Sequence, residues 1–428
     1  MAKNSLVYVC ENCGTEFLKW QGKCSNCGNW NSLVEYKPAT IKASGGKAQA
    51  ATPIEFSEIK IDDAHRFGSG FGEIDRVLGG GIVAGSVILI GGEPGIGKST
   101  LLMQVAGKID QVLYVSGEES ASQLKLRANR LGTKNTGQLL VETDVNVVAA
   151  TIEKVKPKLV IIDSIQAMFD ESYPSTAGSL VQVRETALKL QRLAKSILVP
   201  IVLVGHVTKE GTVAGPKTLE HLVDVVLYLE GERYHENRIL RTVKNRYGAT
   251  DEIGIFQIVE KGLVEVKNPS QFFLKERLAV PGSAVTATIE GTRPLLVEIQ
   301  ALTTTTVFGY PRRTASGFDL NRLQLLIAVL IKRAGLQLAS QDVYINVIGG
   351  VKLREPACDL AVAVAIASAF KNYKIKDNYC LFGELGLSGE IRPALAFEKR
   401  AKEAGRLGFN KVAENKIINK VLAEVLEK

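Results

Sequence analysis

The octapeptide Gly92-Glu93-Pro94-Gly95-Ile96-Gly97-Lys98-Ser99, set directly after the apolar run Val87-Ile88-Leu89-Ile90, constrains this chain more than any other feature. It fits the pattern G-x-x-x-x-G-K-[ST], and the residues that follow, Thr100-Leu101-Leu102-Met103-Gln104-Val105-Ala106, read as a helix. Strand, glycine loop and helix in that order make a phosphate site where the strand gives way to the helix. The glycines let successive backbone N–H groups curl around the β- and γ-phosphates. Lys98 adds a cation, and the Ser99 hydroxyl suits Mg²⁺. Gly92 through Thr100 are therefore expected to hold a nucleoside triphosphate, with ATP and Mg²⁺ as the ligands.

Such a site needs carboxylates, and two apolar strands supply them. Leu159-Val160-Ile161-Ile162 ends in Asp163, placed to hold the Mg²⁺ shell. Val112-Leu113-Tyr114-Val115-Ser116-Gly117 runs into Glu118 and Glu119, which are placed to polarise an attacking water; Glu118 is the first choice. A third strand, Ile201-Val202-Leu203-Val204, ends at His206, a candidate γ-phosphate sensor. Strands also fit Val225–Leu229 and Ile239–Val243. Alternation of these strands with helix-like stretches predicts an α/β domain from about 54 to 268 with a mainly parallel sheet.

At 428 residues and 46% hydrophobic content the chain has room for two or three packed domains. No apolar run reaches membrane-spanning length, and the N-terminus lacks the features of a secretory signal. No membrane association and a cytoplasmic location are expected. In a reducing compartment Cys10-x-x-Cys13 and Cys24-x-x-Cys27 read as a closed Cys₄ zinc site, in a module of residues 1–36 too small to fold without Zn²⁺. Cys358 and Cys380 read as small core residues. Residues 37–53 carry lysines and few large apolar side chains, as a flexible linker does.

Two basic segments follow the phosphate motifs. Val207–Lys217 is rich in glycine and lysine and reads as a loop in which Lys209 and Lys217 meet phosphates. Lys244-Asn245-Arg246-Tyr247-Gly248 places two cations around an asparagine, with no evident partner inside the motif, so a DNA backbone or a neighbouring subunit's γ-phosphate is the expected target. From 269 to 428 there are 22 Lys and Arg against 15 Asp and Glu, a net +7 of the chain's +8, which suits a polyanion.

Together these motifs resemble the bacterial RadA (Sms) family of DNA-repair proteins, nearly end to end. The resemblance rests on the cysteine module with Lys19-Trp20-x-Gly22-x-Cys24 and Trp30-Asn31, on the phosphate loop, on Tyr114–Ser120, on His206–Gly211, on Ala214–Asp224 and on Lys244–Gly248. The family's usual Phe is Tyr247 here, and Ser25 replaces its usual Pro. The resemblance implies a RecA-like core, a zinc ribbon-like N-terminal module and a C-terminal α+β domain similar to the Lon protease domain. It implies a DNA-dependent ATPase that moves on single-stranded DNA as a homohexameric ring and extends or processes branched recombination intermediates begun by RecA. The alternatives are an ATP-dependent Lon-type protease and a clock- or signalling-type RecA-like ATPase. Against the protease stand Ala357 and Glu398 where the nucleophilic Ser and basic Lys would fall; a shifted register would offer Cys358 and Lys399.

Overall fold

The computed structural model describes residues 7–10, 15–36, 55, 57, 66–133, 137–173, 175–206, 219–231, 236–307 and 309–427. Cys13, the 37–53 segment, and the stretch bearing Lys209 and Lys217 lie outside the described residues. The chain divides into two compact units: residues 1–230 with 238–265, and 231–237 with 266–428.

At the start of the first unit, β1 (Val7–Cys10) pairs antiparallel with both β2 (Glu16–Phe17) and β3 (Leu33–Tyr36). Buried Cys10, Cys24 and Leu33, with Tyr8, Phe17 and Cys27 against them, make a core far too small to pay the entropy of ordering this segment.

After a short antiparallel pair, β4 (Arg66–Phe67) and β5 (Ile82–Val83), the rest of that unit is built on a nine-stranded sheet. Its parallel part comprises β6 (Val87–Gly91), β7 (Val112–Ser116), β8 (Gln138–Val141), β9 (Leu159–Asp163), β10 (Ile201–Val204) and β11 (Val225–Glu230), in the order β11-β6-β10-β9-β7-β8. All five positions of β6, β7 and β9 are buried, as expected for strands covered on both faces. The sheet then continues past β11 through β12 (Asn237–Asn245), β13 (Ile253–Val259) and β14 (Gly262–Glu265), with β11–β12 and β13–β14 antiparallel. Two apolar clusters cover its faces. One gathers Leu101, Leu102, Val105, Tyr114 and Phe256; the other gathers Val148, Ile152, Val183, Leu190 and Leu203.

The helices that close the parallel strands start in different ways. Helices over Ala121–Leu131, Val145–Val155 and Leu180–Ile197 are capped by Ser120, Asp144 and Ser179, whose side-chain oxygens accept first-turn N–H bonds. Helix α2 (Lys98–Ala106, after a short α1 over Gly72–Val77) begins at Gly97, φ 114°, with no side-chain cap. Its first-turn donors are left for an anion. Farther along α2, the Gln104 amide clips the edge strand β14: Nε2 donates to the Leu263 carbonyl at 3.1 Å and Oε1 accepts from the Leu263 N–H at 2.9 Å.

In the second unit a four-stranded sheet runs Ser283–Glu290, Arg293–Thr305, Gln341–Val347 and Arg313–Ser316; the first three are antiparallel neighbours and the last pair is parallel. The helix Asp359–Lys371 is buried from Asp359 to Ser368 and packs against the first two strands, while Leu320–Ala334 packs on that helix. Mixed helices and antiparallel strands give the α+β class expected for this region.

Candidate nucleotide site

The phosphate loop owes its course to three glycines. Gly92 (φ 149°), Gly95 (77°) and Gly97 (114°) all have backbone angles that other residues rarely adopt. At Gly92 a side chain would also meet the Leu229 carbonyl at 2.6 Å. The loop therefore lies tight against β11, and Arg238 braces its far side by donating from Nε to the Ile96 carbonyl at 3.2 Å.

Lys98 is 3% exposed and folded back into this loop, its ammonium donating to the carbonyls of Gly92 at 2.8 Å and Glu93 at 3.0 Å. Burial lowers its pKa to about 8, against the opposing pull of Asp163 and Glu118. Ser99 and Thr100 follow on the first turn of α2.

Asp163 ends β9 and is 7% exposed. The Tyr114 hydroxyl donates to its Oδ2 at 2.5 Å, and burial beside this carboxylate holds the phenol well above its ordinary pKa. The sequence marks Tyr114 as a strand residue and as the start of the Tyr114–Ser120 motif, but its tie to Asp163 has no sequence signal beyond the two strands' ends, which pairing places side by side at Ser116 and Asp163.

Glu118 reaches the same place because Gly117 has no side chain. A Cβ there would meet that of Ala167 at 2.5 Å, so only glycine lets the end of β7 approach the segment after Asp163. Ser164 donates to Glu118 Oε1, and His206 Nε2 lies 3.6 Å from the same oxygen. The imidazole is the main cause that brings Glu118 down to about 2, with Ser164 and Lys98 adding to it and burial opposing. Among the described residues the His206 Nδ1 is buried without a partner. Glu119 points elsewhere, pairing with Arg127 at 2.6 Å. The structure thus brings Lys98, Asp163, Glu118 and His206 together at the ends of β6, β9, β7 and β10, and ties Glu119 into an ion pair.

Lys244–Gly248 differs from its expectation. Lys244 donates to the carbonyls of Glu220 at 2.7 Å and Val223 at 2.9 Å. Arg246 pairs through Nη1 with Asp224 at 3.2 Å. Neither cation lacks a partner in its own chain, and the reason is Asp224: it is 1% exposed, also accepts from the Val87 N–H at 3.0 Å and faces Lys195 at 3.6 Å. A carboxylate buried so deeply requires cations beside it. Asn245 Oδ1 accepts from the Tyr247 N–H at 2.8 Å, and Gly248 stacks on Gly79, where an added Cβ would lie 3.0 Å from the facing Cα. The Tyr247 hydroxyl reaches Asp224 as well, within an environment whose burial raises the phenol pKa. Arg246 nonetheless keeps half of its side chain in solvent.

Three thiols of the N-terminal module, those of Cys10, Cys24 and Cys27, have their sulfur atoms within 4.8 Å of one another. Soft thiolates at that spacing fit Zn²⁺. Backbone turns aim them: the Cys24 N–H donates to Asn29 O at 2.8 Å and Gly28 N–H to Cys24 O at 2.8 Å. The oxygen donors Ser99 and Asp163 fit Mg²⁺ in the same way.

In the second unit Cys358 is fully buried and its thiol is pushed up to about 12 by that burial. Glu398 and Lys399 lie on the exposed side of the helix Phe397–Arg406. The buried cation of this helix is Arg400, 1% exposed, whose Nη1 donates to Glu355 Oε1 at 2.7 Å. Burial disfavours the ionised Glu355, but Arg400 and the Ile289 N–H outweigh it and hold its pKa down.

Comparison with known proteins places these features. A family described as AAA domain matches residues 51–212, one described as rubredoxin metal binding domain matches 8–35, and one described as subunit ChlI of Mg-chelatase matches 301–414. The DNA repair protein RadA of Bacillus subtilis is 51% identical over 96% of this chain and 93% of its own length. That of Listeria monocytogenes is 50% identical over 96% and 92%. Among solved structures, a KaiC-like protein of Pyrococcus horikoshii covers 47% of this chain and 98% of its own at 21% identity and TM-score 0.39. The RadB recombinase covers 46% and 99% at 22% identity and TM-score 0.37.

Proposed function

Since the chain belongs to the RadA family of DNA repair proteins, we propose that it is a DNA-dependent ATPase that works in homologous recombination, moving on single-stranded DNA as a homohexameric ring to extend or process branched intermediates begun by a RecA recombinase. The observation that carries the reading is the convergence of Lys98, Asp163 and Glu118 at the ends of β6, β9 and β7 in one sheet.

Ser99 and Asp163 would hold Mg²⁺, which supplies charge neutralisation on the phosphates. The chain's own residues do the rest. Lys98 exchanges two loop carbonyls for phosphate oxygens, so its desolvation is already spent before nucleotide arrives. Glu118, ionised throughout the working pH range, accepts a hydrogen bond from the attacking water and orients it. Ser164 and His206 hold that carboxylate, and His206 reports the nucleotide state because it shares Glu118's oxygen. Arg246 stabilises charge at a neighbouring subunit's nucleotide or on DNA through the half of its side chain left in solvent. Lys209 and Lys217 meet DNA phosphates. The second unit, with its net +7, is a ring-assembly scaffold and a DNA-binding surface. It has no peptidase activity, because the fully buried Cys358 thiol is no nucleophile.

ATP hydrolysis measured with and without single-stranded DNA tests the reading. Stimulation is expected, with affinity for DNA falling steeply with salt at a log–log slope of about −0.7 per phosphate contact. ATPase activity indifferent to DNA would overturn it. Cleavage of an unfolded protein that disappears in Cys358→Ala would favour the protease instead.

A further inference from the structure

The chain contains two tryptophans, Trp20 and Trp30, and both stand on one face of the N-terminal module, 56% and 71% exposed. Tryptophan is rarely left so bare without a use. Backbone pairing puts them there. Lys23 bridges antiparallel to Trp30, and the Asn31 N–H donates to the Gly22 carbonyl at 2.8 Å. The turn between these partners carries Cys24 and Cys27, so the metal knuckle sets the position of Trp30. Gly22 lies between the rings: a Cβ on it would be 3.7 Å from the Trp20 ring and 3.9 Å from that of Trp30. Both indoles therefore converge on one open point, and a side chain at 22 would fill the space between them.

Along the stretch of sequence that carries the rings the charge has one sign. Lys19 and Lys23 are exposed beside them, and no carboxylate occurs from Phe17 to Val34. The Lys23 ammonium lies 5.5 Å from the Trp30 ring centre, and most of that side chain stays open to solvent. Flat π-faces flanked by cations match the bases and phosphates of a single strand.

We propose that Trp20 and Trp30 form a stacking platform for bases of single-stranded DNA, with Lys19 and Lys23 on the adjoining phosphates. This rests on the reading of the chain as a DNA-binding protein, and adds a second, base-contacting site to it.

The two tryptophans being the chain's whole complement, the intrinsic indole fluorescence of the intact protein reports on this face alone. The test titrates full-length, zinc-loaded protein with oligo-dT carrying an end label, reading indole emission and label anisotropy together, then repeats both with an abasic oligonucleotide of equal length. Quenching by oligo-dT and loss of that quenching with the abasic strand are expected. Trp20→Ala or Trp30→Ala should weaken oligo-dT binding roughly tenfold, Trp30→Phe should restore most of it, and metal analysis of each variant should find its zinc retained. Anisotropy showing tight binding while emission stays fixed would overturn the platform and leave the DNA-binding reading standing. No anisotropy change at all would remove that reading too. Equal quenching by the abasic strand would reduce the face to a phosphate contact, and a response to an acidic peptide in place of DNA would assign it to a protein partner; each outcome overturns the proposal.

Discussion

Lys98 holds a place that its own loop has prepared, and the preparation is visible as a titration. In the free site the ammonium loses its proton near pH 8 because it is buried. A bound polyphosphate favours the charged form. Above about pH 8, nucleotide binding should therefore draw a proton from solvent, and affinity should fall as pH rises; well below that, no proton moves. Calorimetry of ADP binding in two buffers of different ionisation enthalpy checks this, and identical heats on both sides of pH 8 would refute it. Lys98→Ala should lower hydrolysis by at least about 10²-fold. Glu118→Gln should bind ATP and turn over slowly, since the amide cannot replace the carboxylate held by Ser164 and His206. The Asp224 cluster separates structure from function. Asp224→Ala takes the acceptor from the buried Val87 N–H and the partner from the half-exposed Lys195 and Arg246, and should cost about 1 to 3 kcal/mol of stability. Arg246→Ala leaves Asp224 with its other partners and, being half in solvent, should cost no more than about 1 kcal/mol. If it also loses DNA-stimulated hydrolysis, the arginine acts beyond its own fold; denaturant melts beside ATPase rates decide the matter.

Elements differ in how openly the sequence announces them. The five buried parallel strands are continuous β-branched and leucine runs, and were readable as such. The edge strand β8, Gln138–Val141, was not, because its apolar run is only Leu139-Leu140-Val141 and three of its four positions are exposed. The strands β13 and β14 extend the sheet antiparallel through glycines at 254 and 262, where turn-like composition hides the pairing. The glycine loop between β6 and α2 was legible because its backbone angles demand glycines at fixed spacing. The partners of Tyr114 and Asp224 were not, since a buried hydrogen bond between segments distant in sequence leaves no local mark. At Gly248 the close approach to Gly79 means that Gly248→Ala should destabilise the unit that holds β12, seen as a lower thermal midpoint. The N-terminal module has only a small apolar core and should depend on a metal held by its cysteines. Chelation should shift indole emission, which arises only there, while far-ultraviolet circular dichroism changes little; a large loss of helix signal on chelation would contradict this.

On the scale of the whole chain, the proposed ring is tested by mixing. Inactive Lys98→Ala and inactive Arg246→Ala protomers should recover part of the DNA-stimulated ATPase when combined, if one subunit's arginine serves the next subunit's nucleotide. No recovery at any ratio, or a monomer in sedimentation with ATP and DNA present, would exclude it. The Gln104 clip described above has a mechanical meaning. Helix α2 starts at the phosphate loop, and Gln104 near its far end grips both backbone groups of Leu263. Two residues later, at Glu265, the chain leaves the first unit. If nucleotide binding pushes on the phosphate end of α2, the helix and these two hydrogen bonds would carry that push to the last strand before the exit. Gln104→Leu keeps the bulk of the helix and releases the grip, and should leave hydrolysis running while the work drawn from each ATP declines, as an engine turns with its clutch disengaged.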